Sequence, residues 1–83
     1  MPLYLDVHTI EGGITMDAMA QARKADLRAQ VGHDVSYLRY WVDEQRGKFF
    51  CLVEAPCAEA ASAVHREAHG LLADEIYQVQ EGS

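Results

Sequence analysis

Two short stretches hold the residues whose types and spacing could do chemistry. "AVHREAHG" (Ala63–Gly70) carries His65 and His69, and "LYLDVHT" (Leu3–Thr9) carries Asp6 and His8. In a helix, residues four apart share a face, so the two imidazoles of the first stretch can reach one ion. The same spacing holds zinc in H-E-x-x-H helices, where the acid beside the first histidine is the general base. Here the acid is Glu67, two residues after His65. Two residues turn a helix by about 200°, so Glu67 points away from the pair and that hydrolytic chemistry is excluded. Histidines near a helix C-terminus also interact favourably with the dipole and the last carbonyls. The pair is therefore open to two readings, chelation or helix-end stabilisation. Asp6 and His8 lie two apart in an alternating segment, hence on one face of a strand. They can ligate one ion or hydrogen-bond each other, or simply form the polar end of a strand.

Other nucleophiles have weaker surroundings. Cys51 lies inside an apolar strand and reads as a small core residue. Cys57 follows Pro56 where a helix begins, with no base placed beside it. Ser36 and Ser62 have no triad context, and His33 in "VGHDV" reads as a loop histidine beside Asp34. "EGG" (Glu11–Gly13) alone is too generic for a phosphate loop.

The elements that must position these residues follow from the pattern. "LYLDVHT" alternates, with Leu3, Leu5 and Val7 on one face and Tyr4, Asp6 and His8 on the other. Thr15 can cap a helix running to about Val31, with Met16, Met19, Ala20, Leu27 and Val31 as its apolar stripe, interrupted by Arg23. "VSYLRYWVDE" and "KFFCLVEA" read as strands joined by the Gly-containing turn in "EQRGK". A second helix spans roughly Cys57 to His69, closed by Gly70, and "DEIYQVQ" is a last strand. The tail "EGS" (Glu81–Ser83) carries no element.

The order β-α-β-β-α-β predicts an α+β, ferredoxin-like fold: a four-stranded antiparallel sheet with both helices on one face. The 83 residues make one domain, 1–83. Alternation assigns Tyr4, Asp6, His8, Tyr37, Arg39, Trp41, Phe50, Leu52 and Glu54 to the open face. So aromatic a face is too large to leave in water, which predicts a homodimer interface or a pocket between sheets. Topology brings the end of helix two near the C-terminal end of strand one, so His8, His65 and His69 could gather there. Yet alternation sets His8 on the open face and helix two on the other, and the sequence alone leaves that conflict standing.

Composition bounds the partners. The net charge is −6, with 13 acidic against 7 basic residues. Such a surface repels phosphate backbones, so nucleic-acid binding is not expected. No apolar run approaches about 20 residues, so no membrane span is expected. "MPLYLDVHT" lacks the basic start and apolar core of a signal peptide, which places the protein in the cytoplasm. Two cysteines, expected to be reduced, suit that compartment.

Together, "YLDVHTIEGG", "YLRYWVDEQRGKFFCLVEAP" and "AVHREAHGLLADEIYQV" resemble a family of small bacterial nickel-binding proteins, formerly a domain of unknown function. The resemblance covers nearly the whole chain. It implies a ferredoxin-like homodimer that binds nickel rather than turning over a substrate. His8, His65 and His69 stand in matching positions as metal ligands, with Asp6 as a supporting ligand. Nickel(II) accepts such imidazole and carboxylate donors. Three positions depart from the family: Arg23 replaces a frequent histidine, Glu11 a proline and Cys57 an aspartate. The alternative reading is a dimeric small-molecule binder, or a cofactor-free oxygenase or isomerase. In that case Tyr37, Trp41, Asp6 and His8 would line a pocket on the open face, with His8 as general base.

Overall fold

The computed structural model describes residues 1–82; Ser83, the end of the tail without an element, lies outside the described residues. Six elements follow in the expected order: β1 (Leu3–Thr9), α1 (Met16–Ala29), β2 (Ser36–Asp43), β3 (Lys48–Glu54), α2 (Ala58–Ala68) and β4 (Glu75–Val79). All pairings are antiparallel, and the sheet order is β2-β3-β1-β4. Both helices lie on one face, giving the ferredoxin-like α+β sandwich. Among the described residues, no helix is long and apolar enough to cross a membrane.

Local chemistry explains the boundaries. Thr15 Oγ1 accepts from the Ala18 N–H at 3.1 Å, capping α1 as expected. The Glu44 carboxylate, from the β2–β3 turn, accepts from the Met16 N–H at 2.7 Å. That turn is pinned to the end of β1, where the Ile10 N–H donates to the Gly47 carbonyl at 2.9 Å. Gly47 has φ +66, and a Cβ there would sit 2.9 Å from the Ile10 carbonyl oxygen, so the close approach requires glycine. Where α2 ends, the His69 and Gly70 N–H groups both donate to the His65 carbonyl, at 3.0 and 2.9 Å. Gly70, at φ +76, turns the chain out of α2 at this point.

The core lies between sheet and helices: Met19 of α1, Tyr37, Phe49, Cys51 and Val53 of the sheet, and Ala61 and Val64 of α2, with Val35 and Ala55 beside them. Two expectations are corrected. First, Tyr4, Asp6 and His8 face the helices rather than the open side. Strand β1 pairs Asp6 with Cys51 and His8 with Phe49, all buried, while Leu5 pairs with Leu52 and Val7 with Phe50. Alternation defines two faces of a strand but not which one meets the helices. The apolar set was read as the buried one, and here the polar set is buried, with Asp6 Oδ2 accepting from His65 of α2 and from the Tyr37 hydroxyl. Second, Tyr37 also faces the helices. The register of β2 against β3 slips between Tyr37 and Arg39, leaving Leu38 as an extra residue. Such a bulge reverses parity along the strand, so Arg39 and Trp41 keep the open face while Tyr37 does not.

Helix α1 differs from its predicted stripe as well. Its buried residues are Met19 and Asp26, whereas Met16, Leu27 and Val31 are exposed. The inward line is Met19, Arg23, Asp26, spaced four and three residues apart. Two of its three members are charged, so the apolar pattern could not reveal it.

Candidate metal centre

His65 is the hub. It is fully buried on the inner face of α2, and its two ring nitrogens meet carboxylates from two other elements. Nε2 donates to Asp6 Oδ2 of β1 at 2.8 Å, and Nδ1 donates to Asp26 Oδ1 of α1 at 2.8 Å. Both carboxylates are fully buried. Burial alone would lower the His65 pKa, but the hydrogen bonds to Asp26 and Asp6 prevail and push it up to about 11. His65 is therefore an imidazolium at neutral pH. Burial would raise the Asp26 carboxyl, but hydrogen bonds from His65 and His69 hold it below the ordinary carboxylate range.

His69 arrives from the C-cap of α2. The Leu71 N–H donates to its Nδ1 at 3.0 Å, which leaves Nε2 to donate to Asp26 Oδ1, also at 3.0 Å. Its side chain retains 13% exposure, and it is the one member of the His65–Asp26–His69 group that reaches solvent. The Gly70 turn explains the geometry, since ending the helix here swings His69 back over the end of α1.

His8 stands edge-on to His65, with ring centroids 4.9 Å apart and planes at 82°. It is 1% exposed, and neither ring nitrogen has a hydrogen-bond partner. Burial, aided by the positive charge on His65, pushes its pKa down to about 4, so the ring is neutral. Tyr37 closes the floor, its hydroxyl donating to the Ala61 carbonyl at 3.0 Å with Asp6 Oδ2 at 3.3 Å. Burial and the nearby Asp6 and Asp26 charges push the phenol pKa far up, so it stays protonated.

All four residues singled out in the sequence, Asp6, His8, His65 and His69, thus meet in one cluster. The sequence reading missed Asp26 and Cys51 as members, and it grouped Tyr37 with Asp6 and His8 only in the alternative pocket on the open face. Asp26 was legible only as the third position of the Met19–Arg23–Asp26 line. Cys51 was legible only through the cross-strand register that places it opposite Asp6. Glu67 does point away, as expected, and accepts from His33 Nε2 at 2.8 Å. Arg23 turns its guanidinium over the Tyr40 ring and donates to the Tyr37 carbonyl at 3.1 Å.

The donor set suits a transition metal. Two groups of three, His8–Cys51–His65 and Asp26–His65–His69, each place their ligand atoms within 4.8 Å of one another. One ion with bonds of about 2.0–2.3 Å can bridge such a group after small side-chain rotations. Four buried atoms around them lack partners: Asp6 Oδ1, Asp26 Oδ2 and both nitrogens of His8. Orphans of this kind are costly in a dry interior, and a bound cation would satisfy them.

Fold and cluster together define a class: a small ferredoxin-like protein that buries imidazole, carboxylate and thiol donors between its sheet and helices. The chain belongs to the SCO4226-like nickel responsive protein family, which matches over residues 4–79. It is similar to a solved structure, SCO4226 from Streptomyces coelicolor A3(2), at 40% identity, covering 98% of this chain and 99% of that one, with a TM-score of 0.89. No curated protein matches the chain.

Proposed function

We propose that the protein binds nickel, or a similar divalent transition metal, through His8, His65, His69 and Asp6, with Asp26 as a further carboxylate. It sequesters or senses the ion in the cytoplasm as a homodimer. One observation carries this reading: a cluster in which two carboxylates and one imidazolium are fully buried, with orphaned ligand atoms on Asp6, Asp26 and His8. Its formal charge is that of an incomplete site, since a single imidazolium faces both Asp6 and Asp26. The membership of the chain in a nickel responsive family supports the choice of ion.

The roles follow from the geometry. His69, partly exposed, is the first group an ion meets. Asp26 orients His65 and His69 together through one oxygen. His65 must give up a ring proton to ligate, so protons compete with the metal and affinity falls on acidification. His8 is already neutral and has a free lone pair.

The dimer half of the proposal rests on the open face. There Trp41 and Tyr77 are each 49% exposed and flank Leu5, Val7, Phe50 and Leu52. Pairing two such faces would remove a continuous apolar surface from water. The alternative of a pocket on this face, with His8 as general base, loses its residues, because Asp6, His8 and Tyr37 lie on the other side of the sheet. A shallow groove of about 220 Å³ on the open face is walled instead by Leu3, Leu5, Leu52, Val79, Gln80 and Glu81.

The test is a calorimetric nickel titration of tag-free protein beside the His65→Ala, His69→Ala double variant. Binding by the wild type and loss in the variant is the expected result. No binding by wild type overturns the metal reading. Sedimentation of the metal-free protein as a monomer at micromolar concentration overturns the dimer.

A further inference from the structure

We propose that Cys51 is a metal ligand, completing with His8 and His65 an inner nitrogen–nitrogen–sulfur site behind the outer Asp26–His65–His69 group. This deepens the metal-binding reading and rests on it. It goes beyond it by naming a thiolate, and so a preference for ions that accept sulfur.

Three observations carry the assignment. Cys51 is fully buried in the central strand β3, directly opposite Asp6, with its thiol in reach of both His8 and His65. Asp6 takes the Nε2 end of His65, and Cys51 lies on that same side. The Nδ1 end is turned away, toward Asp26 and His69. The two groups of donors are therefore on opposite ends of one imidazole. The third observation is independent of the cysteine. His8 is 1% exposed and has no hydrogen-bond partner on either nitrogen. A core histidine without a metal role would ordinarily bond a carbonyl or a carboxylate. This one faces the thiol and His65.

The two groups also differ in access. His69 reaches solvent, while His8, Cys51 and His65 do not. An ion coming from water meets the outer group first. Binding at the inner site forms metal–sulfur and metal–nitrogen bonds as two protons leave to solvent, one from the Cys51 S–H and one from the His65 Nε2–H, with no change in oxidation state. Burial pushes the Cys51 thiol up, so the free thiol stays protonated and inert. A divalent charge beside it reverses that balance, since a coordinating thiol is deprotonated outright. Thiolate ligands favour zinc, nickel, cobalt or copper(I) over magnesium or calcium.

The experiment is a nickel(II) and cobalt(II) titration followed by near-ultraviolet absorbance, on the full chain carrying Cys57→Ser so that Cys51 is the one thiol. A thiolate-to-metal charge-transfer band rising to saturation in step with calorimetric binding is expected. The band is expected to vanish in Cys51→Ser and Cys51→Ala, and affinity to drop at least about tenfold, the lower bound for removing even an outer-shell partner. Calorimetric binding without any band overturns the thiolate assignment and leaves the nitrogen–oxygen site standing. A band retained in both Cys51 variants overturns it as well. No binding by calorimetry overturns the metal reading itself. Because the band is read first in a protein that retains Cys51, misfolding of a Cys51 variant cannot hide the answer.

Discussion

Under its helices the sheet presents Asp6 and His8; on the side away from them it presents Leu5, Val7, Phe50 and Trp41. A small domain would ordinarily do the reverse, since burying carboxylates costs several kcal/mol each unless they are paired. On the covered face the cost is met by pairing, with His65 donating to Asp6 and Asp26 at 2.8 Å each. On the open face no element among the described residues covers the apolar side chains. Under the proposed function, each departure from the usual allocation is a place where something else would complete the molecule, an ion on one side and a second copy on the other.

The largest effect falls on the covered face. His65→Leu leaves Asp6 and Asp26 buried without their shared cation and is expected to destabilise the metal-free protein by about 3–5 kcal/mol, read by urea unfolding at pH 7. Adding Asp6→Asn and Asp26→Asn to His65→Leu removes the orphaned charge and should recover part of that loss. If His65→Leu alone costs no more than a surface substitution, the cluster is not the polar heart of the core.

Acidity and alkalinity should act on this face from opposite directions. The folded His65 pKa lies above its unfolded value, so its contribution is complete below about pH 6.5 and is lost as pH rises toward about 11. The folded His8 pKa is depressed to about 4, so its contribution is complete above about pH 6.5 and is lost as pH falls toward 4. Asp26, also held low, adds a further loss below its ordinary pKa of 3.8. Metal-free stability is therefore expected to peak near pH 6.5. Each single histidine sets a limiting slope of about 1.4 kcal/mol per pH unit on its own side. Urea midpoints measured from pH 5 to 9 check this. His8→Phe should flatten the acid side alone, and a midpoint independent of pH would break the picture.

How much of this was legible in the sequence differs between the faces for a physical reason. The element order, the caps at Thr15 and Gly70 and the hairpin at Gly47 all depend on local chemistry, which neighbouring residues declare. The grouping of His65 with His69 is also local, one helical turn. What could not be read was the side of the sheet. Strand β1 alternates cleanly, but its two faces compete as candidates for burial. The outcome is set by Asp26, 20 residues away, and His65, 59 residues away. The bulge at Leu38 is similarly silent, since an extra residue in a strand has no composition of its own. Asp26 was missed because an inward charged residue breaks the apolar stripe by which a buried helix face is recognised.

A smaller effect is expected on the open face. Trp41→Ala should weaken homodimer association by about 2 kcal/mol, roughly thirtyfold, while leaving the monomer's fold and its metal affinity nearly unchanged. Sedimentation equilibrium alongside nickel calorimetry checks both halves. Loss of metal binding on dissociation would mean that the partner contributes to the centre, and the two faces would no longer be separable.

The smallest effect separates the two cysteines. Cys57 is exposed and occupies the N-cap of α2 without making a side-chain cap hydrogen bond, whereas Cys51 is buried against the histidines. Asp, Ser or Thr at an N-cap accepts from the backbone N–H groups of the first turn, a bond a thiol makes poorly. Cys57→Asp is therefore expected to stabilise the protein by about 0.5–1 kcal/mol, a shift of a few degrees in Tm. The helix it caps is the one that carries His65 and His69, yet His65 lies two turns further on and is held by Asp6 and Asp26. If those carboxylates rather than the cap position the imidazole, Cys57→Asp raises Tm and leaves nickel affinity where it was. A change in affinity with the cap would show instead that the pose of α2 is loose in the metal-free chain, and that ordering this helix is part of what binding the ion costs.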